Sequence, residues 1–113
     1  MSKGPLAGLK VVEIAGIGPA PCAGMMLADL GADVVLVERR SSQSANAEAP
    51  SDGYQFAIYN RGKRSLALDL KQPAAIEIVL SLVAEADGLI EGFRPGVMER
   101  LGLGAEVCLE RNR

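Results

Sequence analysis

The chain has 113 residues, 49% of them apolar and 23% charged, with a net charge of −2 and no histidine. That composition fits one globular domain, residues 1–113, and excludes a disordered chain; the charge balance gives no general attraction to nucleic acid or to an anionic membrane. No apolar run approaches the ~20 residues of a membrane span, and MSKGPLAGLK lacks the apolar centre of a signal peptide.

Aromatic residues make up 4% and Trp is absent, so the core is expected from Leu, Val, Ile, Ala and Met, which suits helices layered on a parallel sheet. At this size roughly two thirds of the unfolded chain's surface can be buried. The high apolar share therefore leaves surface for a partner. Cys22 and Cys108 have neither metal-ligand spacing nor a framework of further cysteines. They read as reduced thiols of a cytoplasmic protein, with no metal site.

In chain order, Met1 to Gly8 is a small polar lead-in, and Leu9 to Ile14 is a strand rich in β-branched residues. The turn Gly16-Ile17-Gly18-Pro19 follows. Ala23, Met26, Leu27 and Leu30 then repeat at helical spacing, Pro19 or Pro21 fits the first turn, and Gly31 is a C-terminal stop. Val34 to Val37 is a second strand, and a strand, helix and strand in so few residues imply parallel pairing. Residues 41–59 are a long polar loop, more often functional than structural. Asn60 to Arg64 is a basic turn, Ser65 to Leu70 a third strand, and Gln72-Pro73 opens a helix with Ile76, Val79, Leu80 and Val83 as its buried stripe. Leu89 and Ile90 belong to a short fourth strand, Gly92 to Gly96 is a turn, Val97 to Leu101 a short helix, and Ala105 to Arg111 the start of another.

The opening unit, Leu9 to Arg39, has the outline of a dinucleotide-binding unit. In GxGxxG the glycines let backbone approach a pyrophosphate at a helix N-terminus, and an acidic residue about 20 positions on takes the ribose hydroxyls. Gly16, Gly18 and Glu38 fit. Pro21 stands where the third glycine belongs, and Pro19 removes a backbone donor, which argues against a nicotinamide or flavin cofactor. A tight turn that merely reverses the chain is the alternative reading of the glycines.

A second pattern is basic. Arg39 and Arg40 leave the second strand, Arg61, Lys63 and Arg64 flank the third, Lys71 ends it and Arg94 follows the fourth. The carboxyl ends of parallel strands share one edge, where such folds bind ligands, so Arg39, Lys71 and Arg94 converge there and suit a phosphate-rich ligand. The competing expectation is solvated side chains paired with Glu38, Asp69 and Glu91. Arg61, Lys63 and Arg64 fall at the opposite edge.

Three motifs, GPLAGLKVVEIAGIGPAPCAGMMLADLGADVVLVER, NRGKRSLALDLK and ADGLIEGFRPGVMERLGLG, resemble in the same order the N-terminal part of the family III CoA-transferases. The run Gly16 to Pro21 is most similar to their α-methylacyl-CoA racemase branch. The resemblance implies an α/β fold, a Rossmann-like parallel sheet of about four strands with flanking helices, as an incomplete version of the family's large domain. It also implies CoA or acyl-CoA as ligand, with no prosthetic group. The family's contacts fall on Arg39, on the run Leu68-Asp69-Leu70-Lys71, and on Arg94.

Racemases of this kind use a His and an Asp to remove and return the proton α to the thioester, and the transferases use a nucleophilic Asp. This chain has no His, and none of its acidic residues matches those motifs. No catalytic residue is therefore assigned, and the chain is expected to be inactive by itself. After Arg113 the family continues into another strand, so a sheet edge and helix faces are expected to be covered by another copy, giving at least a homodimer. A CoA-transferase fragment and a ligand-free assembly module are the alternatives.

Overall fold

A computed structural model describes residues 4–16, 19–39 and 58–112. The elements, numbered here in chain order, are β1 (Lys10–Ile14), α1 (Pro19–Asp29), β2 (Asp33–Arg39), a single 3-10 turn (Ile58–Asn60), β3 (Arg64–Leu68), α2 (Pro73–Ala84), β4 (Gly88–Ile90), α3 (Val97–Leu101) and α4 (Ala105–Arg111). The strands form one sheet in the order β3-β2-β1-β4. Every pairing is parallel. The long polar loop falls outside the described residues as far as position 57, as do Ile17, Gly18 and Arg40.

The register sets which side chains share a face. Val11 pairs with Val34 and Glu13 with Leu36, so these four point to one side, and Val12, Ile14 and Val37 point to the other. On the second side, Val12, Ile14 and Val37 form the main core with Val79, Leu80 and Val83 of α2, Met98 and Leu103 around α3, and Cys108 of α4. On the first side, Val11, Ala32 and Val34 pack with Leu27 and Ala28 of α1 and with Leu6 and Leu9, so the lead-in is part of the fold from Gly4 onward. Leu6 N–H donates to Leu30 O at 2.9 Å, tying that lead-in to the end of α1.

The expected stripe of α2 is met at Val79, Leu80 and Val83, with Ile76 half-buried. That of α1 is not. Its buried residues are Ala20, Pro21 and Gly24, whereas Met26 is 56% and Leu30 45% exposed. Nearly every residue of PAPCAGMMLAD is small or apolar, so periodicity has no polar face to contrast with. Contact with the sheet selects the smallest residues. α1 does end at Gly31, whose φ of +107° is a conformation few L residues adopt.

Candidate functional site

Because the sheet is parallel throughout, the segments leaving β1, β2, β3 and β4 all emerge at one edge. The strand order reverses between β1 and β4, the position where open α/β sheets form a ligand crevice. Ala15 and Gly16 leave β1 on one side of that point, and Glu91 to Gly96 leave β4 on the other.

Arg39 is the last residue of β2, directly opposite Leu68, the last residue of β3. Asp69, Leu70 and Lys71 continue from there as a turn: Asp69 Oδ1 accepts the Lys71 N–H at 3.1 Å, and Asp69 O accepts the Gln72 N–H at 3.0 Å. Leu68 and Leu70 are half-buried against the main core, and Lys71 is exposed. An open groove of about 510 Å3 lies beside them, lined by Ala67, Leu68, Asp69 and the start of α2. Arg94 is exposed in the turn after β4. β1 lies between β2 and β4, so at ~4.8 Å per neighbouring strand the strand that leads to Arg94 runs about 10 Å from the one that ends at Arg39. Arg39 and residues 68–71 thus form one cluster, and Arg94 stands apart on the far side of the β1 turn.

The carboxylates named as possible partners of these cations each accept a local hydrogen bond, and among the described residues no ion pair joins Asp69 or Glu91 to Lys71 or Arg94. Glu38 accepts the Ser65 hydroxyl across the β2–β3 pair, Glu91 Oε1 accepts the Phe93 N–H at 2.7 Å, and Asp69 caps its own turn. Glu38, the candidate ribose acceptor of a dinucleotide site, is engaged in that bond. α1 opens with Pro19 and has Pro21 two residues later, so two N–H groups are missing where an anion cradle would need them.

The basic residues around the start of β3 are paired with carboxylates of α1, β1 and β2. Arg61 pairs with Asp29 at 2.6 Å and Arg64 with Asp33 at 2.7 Å, both at the surface. The Arg61 hydrogen bond lowers the Asp29 pKa, and the same bond raises that of Arg61. Lys63 is not a solvated side chain. Its Nζ lies 2.7 Å from Glu13 Oε1, with the Lys63 side chain 1% and the Glu13 side chain 0% exposed, and it donates to Pro21 O at 3.1 Å. Glu13 Oε2 has no hydrogen-bond donor among the described residues. Burial pushes the Glu13 carboxyl above its ordinary range, and the Lys63 hydrogen bond and charge oppose that shift.

α1 passes directly over this pair at Gly24. A Cβ there would sit 1.8 Å from Glu13 Oε1 and 3.1 Å from Lys63 Nζ. The helix-to-strand contact that a third glycine supplies in GxGxxG is thus made by Gly24, one turn beyond Pro21. A signal for this was present: Glu13 is the one charge among the buried positions of the strand KVVEI, and a buried charge requires a partner. Beside the pair, a cavity of about 150 Å3 is lined by Glu13, Ala15, Gly16, Pro21, Leu36, Glu38 and Asn60.

Among the described residues no group of three or more His, Cys, Asp or Glu is placed to hold a metal ion, and no helix is long and apolar enough to cross a membrane. Cys22 and Cys108 are free thiols, the latter buried with its Sγ 3.4 Å from Leu103 O.

Residues 6–113 match the sequence model of the CoA-transferase family III. The chain is 48% identical over 107 residues to the α-methylacyl-CoA racemase of Mus musculus, covering 95% of this chain and 25% of that protein. It is 41% identical over 117 residues to a succinyl-CoA:mesaconate CoA-transferase of Haloarcula hispanica, covering 96% and 30%. The crystal structure of a CAIB/BAIF family protein from Brucella suis superposes with a TM-score of 0.84 at 40% identity, covering 96% of this chain and 31% of that one. The chain thus spans between a quarter and a third of the length of these relatives, and over that span its sequence, strand order and motifs make it a member of the CoA-transferase family III.

Proposed function

We propose that this chain binds the nucleotide end of CoA or an acyl-CoA and does not itself catalyse acyl-CoA chemistry. The observation that carries this reading is the parallel order β3-β2-β1-β4, which brings Arg39, Lys71 and Arg94 to one sheet edge from three separate strands. CoA carries a pyrophosphate and a ribose 3′-phosphate, and arginine forks meet phosphate oxygens bidentately. Leu68 and Asp69 line the groove that receives the adenosine end, Arg39 follows as the register partner of Leu68, Lys71 lies two residues beyond Asp69, and Arg94 takes a phosphate on the other side of the strand-order reversal. Relatives named as a racemase and as a CoA-transferase have in common a CoA thioester, so the nucleotide end is the part of the ligand their similarity supports. The absence of His removes the proton-transfer pair of the racemase type from this chain.

Titration calorimetry with CoA tests the reading. Wild type gives saturable heat, NAD gives none, and Arg39→Ala or Arg94→Ala each raises Kd about tenfold or more, the effect of losing one charge-assisted contact. No heat at millimolar CoA overturns it. The same reading includes a homodimer or larger assembly, supported by the solvent-facing strand β3 and the apolar outer side of α1 at Met26 and Leu30. A monomer mass by light scattering across micromolar concentrations would remove that part.

A further inference from the structure

The contacts of Lys63 gather three segments that are distant in sequence. Its ammonium lies 2.7 Å from Glu13, two residues before Ala15, and 3.1 Å from Pro21 O in the first turn of α1, while Lys63 itself immediately precedes β3. These segments deliver the turn after β1 and, through β3, the run Leu68 to Lys71. On the carboxyl-edge side Glu13 borders a cavity of about 150 Å3. A buried pair of this kind is a poor source of stability, because desolvation offsets most of its attraction and apolar replacements are often as stable. Its direct consequence is geometric.

We propose that Glu13 and Lys63 are positioning residues, a charge latch that holds the turn after β1 and the approach to β3 in register across the cavity and so shapes the ligand edge. Two backbone bonds report the latched arrangement: Ala15 N–H to Val37 O at 2.9 Å and Lys63 N–H to Asn60 O at 3.2 Å. The other ionisable groups on the elements around the pair are Lys10 on β1, Glu38 and Arg39 on β2, Cys22 on α1 and Tyr59 in the 3-10 turn, with Asp29 and Asp33 held by Arg61 and Arg64. Lys63 is the one cation in contact with Glu13 among the described residues.

The test compares wild type with Lys63→Met and with the double variant Glu13→Met/Lys63→Met, by native-state hydrogen exchange corrected for intrinsic rates. The double variant leaves no buried charge and keeps the melting temperature within a few degrees, yet protection at Ala15 and at the residue 63 amide falls about tenfold or more, while Val35 and Val37 in β2 are unchanged. Lys63→Met loses the same protection at low and at neutral pH alike, because protonating Glu13 removes the unpartnered charge without restoring the latch, and its melting temperature falls further as the pH rises and the carboxyl ionises. Unchanged protection at Ala15 and residue 63 in the double variant, or a loss spread equally over β2, overturns the latch. Only the last readout rests on the CoA-binding reading: the double variant binds CoA about tenfold more weakly than wild type. A wild type that shows no CoA heat defeats that reading, and the exchange data still decide the latch.

Discussion

Gly24→Ala is the substitution whose effect the structure fixes most closely. Helix propensity alone favours it, since Ala is about 1 kcal/mol better than Gly inside a helix. The packing opposes it. The new Cβ would lie 1.8 Å from Glu13 Oε1 and 2.8 Å from Glu13 Cδ. Ordinary contact needs above 3 Å, so the carboxylate has to shift by roughly 1.5 Å or the helix has to lift by a similar amount. Either movement opens the 2.7 Å contact with Lys63. Separating a buried pair costs about 3–5 kcal/mol, and with the propensity gain subtracted the net loss is about 2–4 kcal/mol. For a domain of this size that is a fall in melting temperature of roughly 8–16 °C. Thermal and urea unfolding followed by circular dichroism at neutral pH measure it. The substitution is also coupled to the pair: in a Glu13→Ala/Lys63→Ala background it costs less than about 1 kcal/mol, because nothing remains for the methyl to displace. A Gly24→Ala protein as stable as wild type, or more stable, would refute the argument.

Two further outcomes follow from other contacts. Glu13 has a folded-state pKa raised above 4.5 chiefly by burial, so the folded state holds its proton more tightly than the unfolded state. The stability it contributes is therefore full below about pH 4.5 and is lost as the pH rises through the raised value. Wild type should accordingly lose stability relative to Glu13→Gln across that window, as read from urea midpoints; a relative gain would show that the attraction of Lys63 exceeds the burial penalty. Asn112 Nδ2 donates to Val83 O at 2.7 Å and Ala86 O at 2.6 Å, satisfying carbonyls at the end of α2 from beyond α4. Asn112→Ala leaves them without that donor and should cost about 1–2 kcal/mol in the same unfolding assay, whereas Asn112→Asp, which exchanges the donor for acceptors, costs at least as much.

Much of the fold was legible because its signals are local. KVVEI and DVVLVER carry the β-branched density of buried parallel strands, and Val79, Leu80 and Val83 recur at helical spacing on α2. The third strand ends at Leu68, two residues before the expected Leu70, since Asp69-Leu70 turns the chain before Pro73 opens α2. The basic residues were legible as a group but not by fate. Lys71 and Arg94 are exposed at the carboxyl edge, whereas Arg61 and Arg64 are bound to Asp29 and Asp33, and Lys63 is buried. Glu38, Asp69 and Glu91 each accept from a donor close by, the Ser65 hydroxyl and the Lys71 and Phe93 N–H groups.

By itself the sequence determined the order of elements, their parallel arrangement and the family's motifs, since periodicity, turn residues and short motifs act over a few positions. Only the tertiary structure decided that Glu13 meets Lys63, that Gly24 rather than Pro21 carries the close helix contact, and that Met26 and Leu30 face outward. The reason is register: partners fifty residues apart are chosen by strand order and by which face each residue presents, and a shift of one residue reverses every face.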